Sequence, residues 1–404
     1  RLADRFGRRR VFFIGIWTFS LASALCGLAP GTGVLIAARL LQALGGALIL
    51  PASLALVLPE FPVERRSAAI GVWGAVGGLS AAAGPVFGSV LINSIGWRGL
   101  FFVNAPLCVL ALVTGRRLLV ESRDPNAHGL PDIIGAVLAT SAVALIVLGI
   151  VEGHRWEWTS ARTLSVFTGG VVLLAIFIVR CARTDDPVLD LHLFEHRFFS
   201  VANTSALLFS AGFFGMFYVN VRFLTEVWHY SVAGSGLAFA PGPFVSALVA
   251  APAGRLADRY GHRIVVVPGA LLFALGIGLF VTLVPDQPDY WRVYFPVFLV
   301  VGLGVGLTIS TIGAASNAFL PPDRFAMGGA VNATLRQIGS AFGVAIVVAI
   351  VGERITPDGA DRAFTFVGIA ALLSGLLMWA LYRPPIAAVA KGAPPSTATP
   401  APLH

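Results

Sequence analysis

Arg1-Leu-Ala-Asp-Arg-Phe-Gly-Arg-Arg-Arg10 opens the chain, and Arg255-Leu-Ala-Asp-Arg-Tyr-Gly-His-Arg263 repeats it. The first seven positions of the two copies differ only where Phe6 becomes Tyr260. Each copy stands directly before an apolar run, beginning at Val11 or Ile264. An offset of 254 residues is far longer than any solenoid period. It suits a chain made of two related halves, a common design of membrane transporters.

Composition points the same way. Hydrophobic residues make up 57% of the 404 and charged residues 12%, about half the charge of an ordinary soluble domain. The apolar residues fall in blocks long enough to cross a hydrocarbon core of about 30 Å. Twelve spans are expected, near residues 11–29, 34–58, 67–92, 100–119, 131–151, 163–182, 198–221, 233–252, 264–284, 292–314, 325–350 and 362–382. The fold class is therefore an all-α membrane protein.

Counting Lys and Arg between spans gives 19 on the side that holds both repeated motifs and both chain ends, against 7 on the other. The positive-inside rule places the richer side in the cytoplasm of a plasma (inner) membrane. That accounts for the net charge of +8 without any nucleic acid. Trp156, Trp158, Trp228 and Trp291 fall on the opposite side, as an interfacial aromatic belt requires. Cys26, Cys108 and Cys181 lie in or beside apolar runs and read as small core residues, with no metal site.

Extending the repeat, Arg66-Ser-Ala-Ala-Ile-Gly71 pairs with Arg324-Phe-Ala-Met-Gly-Gly329 at an offset of 258 residues. The spans at 11–119 then match those at 264–382, and those at 198–252 lack partners. By symmetry two further spans are expected before residue 1, giving twelve spans of fourteen. The pair at 131–182 has no repeat. The expected organisation is an N-terminal bundle at 1–119, two central helices with linkers at 120–197, a C-terminal six-helix bundle at 198–383, and a disordered cytoplasmic tail at 384–404.

A phosphate-binding loop needs a lysine on the terminal phosphates. The one lysine, Lys391, lies in the tail, so ion or substrate gradients must do the work. The signatures His-Glu-x-x-His, Gly-x-Ser-x-Gly and Cys-x-x-Cys are missing, and no enzyme activity or cofactor is expected.

The two motif copies resemble the cytoplasmic signature of the major facilitator superfamily. That resemblance implies two pseudo-symmetric helical bundles around a central cavity. It also implies a conformational latch made of Asp4, Arg5, Gly7, Asp258, Arg259 and Gly261. Arg39-Leu-Leu-Gln42 resembles the family's second motif, in which a buried arginine is linked to proton transfer, so Arg39 and Gln42 take that role. Gly84-Pro85-x-x-Gly88 resembles the motif of the proton-coupled antiporters. Gly96-Trp97-Arg98-Gly-Leu-Phe101-Phe102-Val-Asn104-Ala-Pro106 and Asn332-Ala-Thr-Leu-Arg336-Gln337-Ile-Gly339 resemble fourteen-span drug:proton antiporters of the EmrB/QacA type.

Arg336 and Gln337 stand about a dozen residues inside their span, and no carboxylate lies mid-span in the chain. The resemblance implies an acidic residue in the family's first spans, so the proton-carrying acid is expected on the segment before residue 1, with Glu226 the best candidate at hand. The aromatic run Phe209 to Asn220 suits hydrophobic or cationic ligands, and Phe213, Tyr218 and Asn220 join Asn104, Asn332, Arg336 and Gln337 as expected cavity residues.

The reading is a proton-driven exporter of hydrophobic or cationic small molecules. Its expected partners are the proton gradient, the substrate and the lipid bilayer, with a monomer that works alone or with an adaptor protein. Alternatives are a dedicated exporter of one endogenous metabolite or antibiotic, a facilitator-type importer, and a membrane sensor.

Overall fold

The computed structural model describes residues 2–61, 76, 80, 84, 87–123, 132–184, 187–321 and 324–383. They fold without strands. Helices α1 (Leu2–Phe6), α2 (Arg8–Leu28), α3 (Thr32–Val57), α4 (Gly99–Phe102) and α5 (Asn104–Leu118) come first. The hairpin of α6 (Ile133–Trp156) and α7 (Ala161–Arg183) follows, then α8 (Arg197–Arg222), α9 (Val232–Phe239), α10 (Pro241–Tyr260) and α11 (His262–Leu283). The last three are α12 (Phe295–Asn317), α13 (Phe325–Val351) and α14 (Pro357–Leu381).

Eleven helical segments among the described residues are long and apolar enough to cross a membrane. They match the expected spans except the one at 67–92, of which only residues 76, 80, 84 and 87–92 are described. Two compact units result. One comprises residues 1–133 with 231–240, and the other 134–230 with 241–404.

The repeated motif, which lies between the expected spans, is mostly helix. Residues 2–6 form α1, and α10 runs unbroken to Tyr260. A single glycine separates each from the next helix. Gly7 has φ 110° and Gly261 φ 96°, a region in which any other L-residue is strained. The turn is therefore one residue long, and the glycine is its only irregular element.

Within each unit the helix pair after the motif meets through a glycine. A Cβ on Gly45 would stand 2.6 Å from the Phe19 amide nitrogen and 2.9 Å from the Gly15 carbonyl oxygen. A Cβ on Gly304 would stand 2.4 Å from Phe273 N and 2.7 Å from the Gly269 oxygen. Gly15 and Gly269, like Phe19 and Phe273, keep the 254-residue offset. The repeat seen in the motif thus continues into the packing of the membrane helices, where small residues let backbones touch. Buried Ala3 and Val11 in one unit, and Ala257 and Val265 in the other, keep the same offset again.

In the second unit, polar contacts add to this packing. Ser205 and Ser374 face each other across α8 and α14 with hydroxyls 2.7 Å apart, and each hydroxyl also reaches the other's carbonyl at 2.9 Å. Near one end of the unit, α8 and α12 are joined to π-helical turns at Phe223–Val227 and Tyr290–Tyr294. An aromatic core fills the space between them: Trp228 lies 5.4 Å from Tyr294, and Phe280 4.2 Å from Phe364.

Candidate functional site: polar nodes and latch turns

In the first unit, two of the site residues expected from sequence meet on one that was not, and a third joins through them. Ser23, fully buried on α2, accepts hydrogen bonds from Gln42 Nε2 at 3.0 Å and Asn104 Nδ2 at 2.9 Å. Its own hydroxyl donates to the Phe101 carbonyl at 2.8 Å. One proton and two lone pairs are all that a hydroxyl has, so Ser23 is saturated. With its Nε2 spent on Ser23, Gln42 presents Oε1 to Arg39, which donates to it from Nη1 at 2.8 Å. The Arg39 guanidinium also lies 5.7 Å from the Phe101 ring centroid, within cation–π range.

The chain Asn104–Ser23–Gln42–Arg39 therefore ties α2, α3 and α5 together and fixes one arm of a membrane-embedded arginine. The rest of that guanidinium is exposed and makes no hydrogen bond among the described residues. A charge at that depth carries a cost of several kcal/mol, so one kept there usually has a function.

At the first motif copy, the first three amides of α2 find acceptors at the start of the segment after α5. Arg8 N donates to the Ser122 carbonyl at 3.0 Å, and Arg9 N and Arg10 N donate to the two carboxylate oxygens of Glu121 at 3.0 and 3.2 Å. These amides have no partners within the helix, and a carboxylate there also opposes the positive end of the helix dipole. Gly7 makes room, since a Cβ on it would come within 2.7 Å of Glu121 Oε1. Sequence reasoning missed Glu121, because its only signal was an acid just past the end of a span.

The two copies share further contacts. Arg5 lies 5.4 Å from the Phe6 ring centroid and Arg259 5.2 Å from that of Tyr260, so the one substitution in the repeat keeps the aromatic face. Arg9 Nη2 donates to the Arg116 carbonyl at 2.9 Å, near the end of α5, and Arg263 Nη2 donates to the Trp379 carbonyl near the end of α14. A cation at a helix C-terminus satisfies orphan carbonyls and the dipole together. Asp258 is exposed and makes no hydrogen bond or ion pair among the described residues. The side chain of Asp4 and all of Pro85 lie outside the described residues, while Gly84 and Gly88 are helical, Gly84 exposed and Gly88 half-buried.

The second unit separates its expected residues. Asn220 is fully buried, and its Oδ1 accepts from the Tyr294 hydroxyl at 2.8 Å. Phe213 and Tyr218 are half-buried. Asn332 donates to Asn203 Oδ1 at 2.9 Å across α8 and α13, and Asn203 donates to the Phe199 carbonyl at 2.9 Å. Glu226 takes both ends of the Arg222 guanidinium, at 2.7 and 2.8 Å, and accepts the Ile355 amide at 3.3 Å. Arg222 also donates to the carbonyls of Gly352 and Glu353 at 3.1 and 2.8 Å. Glu226 thus acts here as a tie between α8 and the loop before α14. Arg336 is half-buried and Gln337 exposed on α13.

A multi-pass helical bundle of repeated halves, with charges kept inside its spans, defines a membrane transporter rather than an enzyme. The signature of the Major Facilitator Superfamily matches residues 1–181 and 204–404, and the chain belongs to that family. The multidrug resistance protein Stp of Mycobacterium tuberculosis (strain CDC 1551 / Oshkosh) is 32% identical over 373 residues, covering 89% of this chain and 69% of its own length. The puromycin resistance protein pur8 of Streptomyces alboniger is 33% identical over 406 residues, covering 94% and 79%. The tetracenomycin C resistance and export protein of Streptomyces glaucescens is 30% identical over 355 residues, covering 88% and 66%. Among solved structures, a POT family transporter in complex with 5-aminolevulinic acid superposes with a TM-score of 0.67 over 94% of this chain and 82% of that one. Its 17% identity supports the fold alone.

Proposed function

We propose that this protein is a proton-coupled antiporter of the fourteen-span branch, exporting hydrophobic small molecules across the plasma membrane by alternating access. Both ends of the chain are cytoplasmic in this reading, and the transporter works as a monomer, alone or with an adaptor protein. The observation that carries it is the Asn104–Ser23–Gln42–Arg39 chain. It holds a membrane arginine by one arm and leaves the rest of its donors open to a partner that changes during the cycle.

Resistance relatives support the export direction. Of the two substrate classes expected from the aromatic span, the cationic one is less well supported: Phe209 and Asn220 are buried in packing, and α13 carries an arginine.

Everted vesicles containing the full-length protein test this reading. An imposed gradient, acid inside, should drive uptake of a hydrophobic dye, and a protonophore should abolish it. Arg39→Ala should abolish gradient-driven uptake at normal membrane insertion. Uptake that ignores the gradient would make the protein a facilitator instead. A dedicated exporter of one cellular product is the second reading, favoured by the likeness to the tetracenomycin C resistance and export protein. It requires a narrow substrate range in the same assay.

A further inference from the structure

We propose that Arg336 is the anchor for an acidic group on the exported molecule, so that the substrate class is hydrophobic compounds bearing a carboxylate or a comparable anion. This rests on the export reading above.

Arg336 lies nine residues from Met327 and fifteen from Val351, the two ends of its membrane span. At the helical rise the nearer end is about 13 Å away, too far for a side chain to reach headgroups. No Asp or Glu occurs within 327–351, and the acids of the other described spans (Glu152, Glu226, Asp258, Asp358, Asp361) all stand close to a span end. Arg336 makes no hydrogen bond, ion pair or ring contact among the described residues.

The packing of α13 explains where it faces. Asn332, Gly339 and Gly343 form the side that meets α8: Asn332 bonds Asn203, and Cβ atoms on the glycines would strike the carbonyls of Leu207 and Ala211. At helical spacing Arg336 sits on the rim of that side, next to the open face on which Ala333 and Gln337 are exposed. A guanidinium at membrane depth is retained where it has an anion to meet, and its planar fork matches a carboxylate in a bidentate pair. Gln337 adds an amide that can donate beside it.

The test uses purified full-length protein and two probes of one shape, 1-naphthaleneacetate and 1-naphthaleneacetamide. Wild type should bind the acid about tenfold more tightly than the amide, the equivalent of one charge-assisted hydrogen bond. Arg336→Gln should erase that preference, and Arg336→Lys should keep part of it. Equal affinities in wild type, or a preference that survives Arg336→Gln, would overturn the proposal.

The anion could instead be a carboxylate of the protein itself. Without probe, Arg336→Gln should raise the melting temperature if the arginine is unpaired; a fall would assign the pairing to the protein and overturn the substrate assignment. Gradient-driven uptake of a hydrophobic dye that bears a carboxylate into everted vesicles tests the export reading separately, because the acid–amide comparison is read from binding alone.

Discussion

Ser23 uses its one proton and both lone pairs, and each bond goes to a different segment of the first unit. Replacing it with alanine would leave the Gln42 and Asn104 amides and the Phe101 carbonyl without that partner. Each buried polar group left unsatisfied costs about 1–3 kcal/mol, so Ser23→Ala should lower the thermal midpoint clearly. It should also weaken gradient-driven uptake, because Gln42 would be free to turn away from Arg39. Unchanged melting and transport would show that the network is incidental. Glu226→Gln makes the opposite kind of prediction. Its partnership with Arg222 is partly exposed, so the loss should be below about 1 kcal/mol, and gradient-driven uptake in vesicles should persist. Loss of coupling at normal stability would instead make Glu226 the proton carrier.

At the scale of elements, the two motif turns share a backbone but differ in surroundings, and this separates two effects of one substitution. Gly261→Ala forces a side chain into positive φ at a cost of about 1–2 kcal/mol. Gly7→Ala adds the same strain and also pushes on the Glu121 carboxylate that caps α2. Gly7→Ala should therefore destabilise more than Gly261→Ala in paired thermal melts; equal losses would mean that the cap adds nothing. The turns were only half legible in sequence. Their glycines stand out by repetition, but a run of arginines reads as a loop when its charge is weighed alone. The helices continue through it because Leu, Ala and Arg are good helix formers, and only glycine interrupts them.

For the whole molecule, the internal repeat makes a joint prediction. Gly45 and Gly304 each lie against the backbone of the preceding helix in their own unit, so Gly45→Ala and Gly304→Ala should both reduce the yield of folded protein by similar amounts. A large loss at one site and none at the other would confine the repeat to the motifs. Yield measured by size-exclusion after detergent extraction reads this directly.

The sequence by itself determined the class of protein, eleven of its expected spans and its twofold repeat. Each of these is written in local composition and period: apolar length against bilayer thickness and a ten-residue motif used twice. Tertiary structure alone decided which polar groups meet. Ser23 and Gln42 are 19 residues apart, Ser23 and Asn104 81, and Arg9 and Glu121 112. A hydrogen bond forms only where helix packing brings a donor and an acceptor to about 3 Å, and that is set by how helices cross. The same reason accounts for Arg336. Its depth could be counted along the chain, but its lack of a partner among the described residues appeared only once the neighbouring helices were in place.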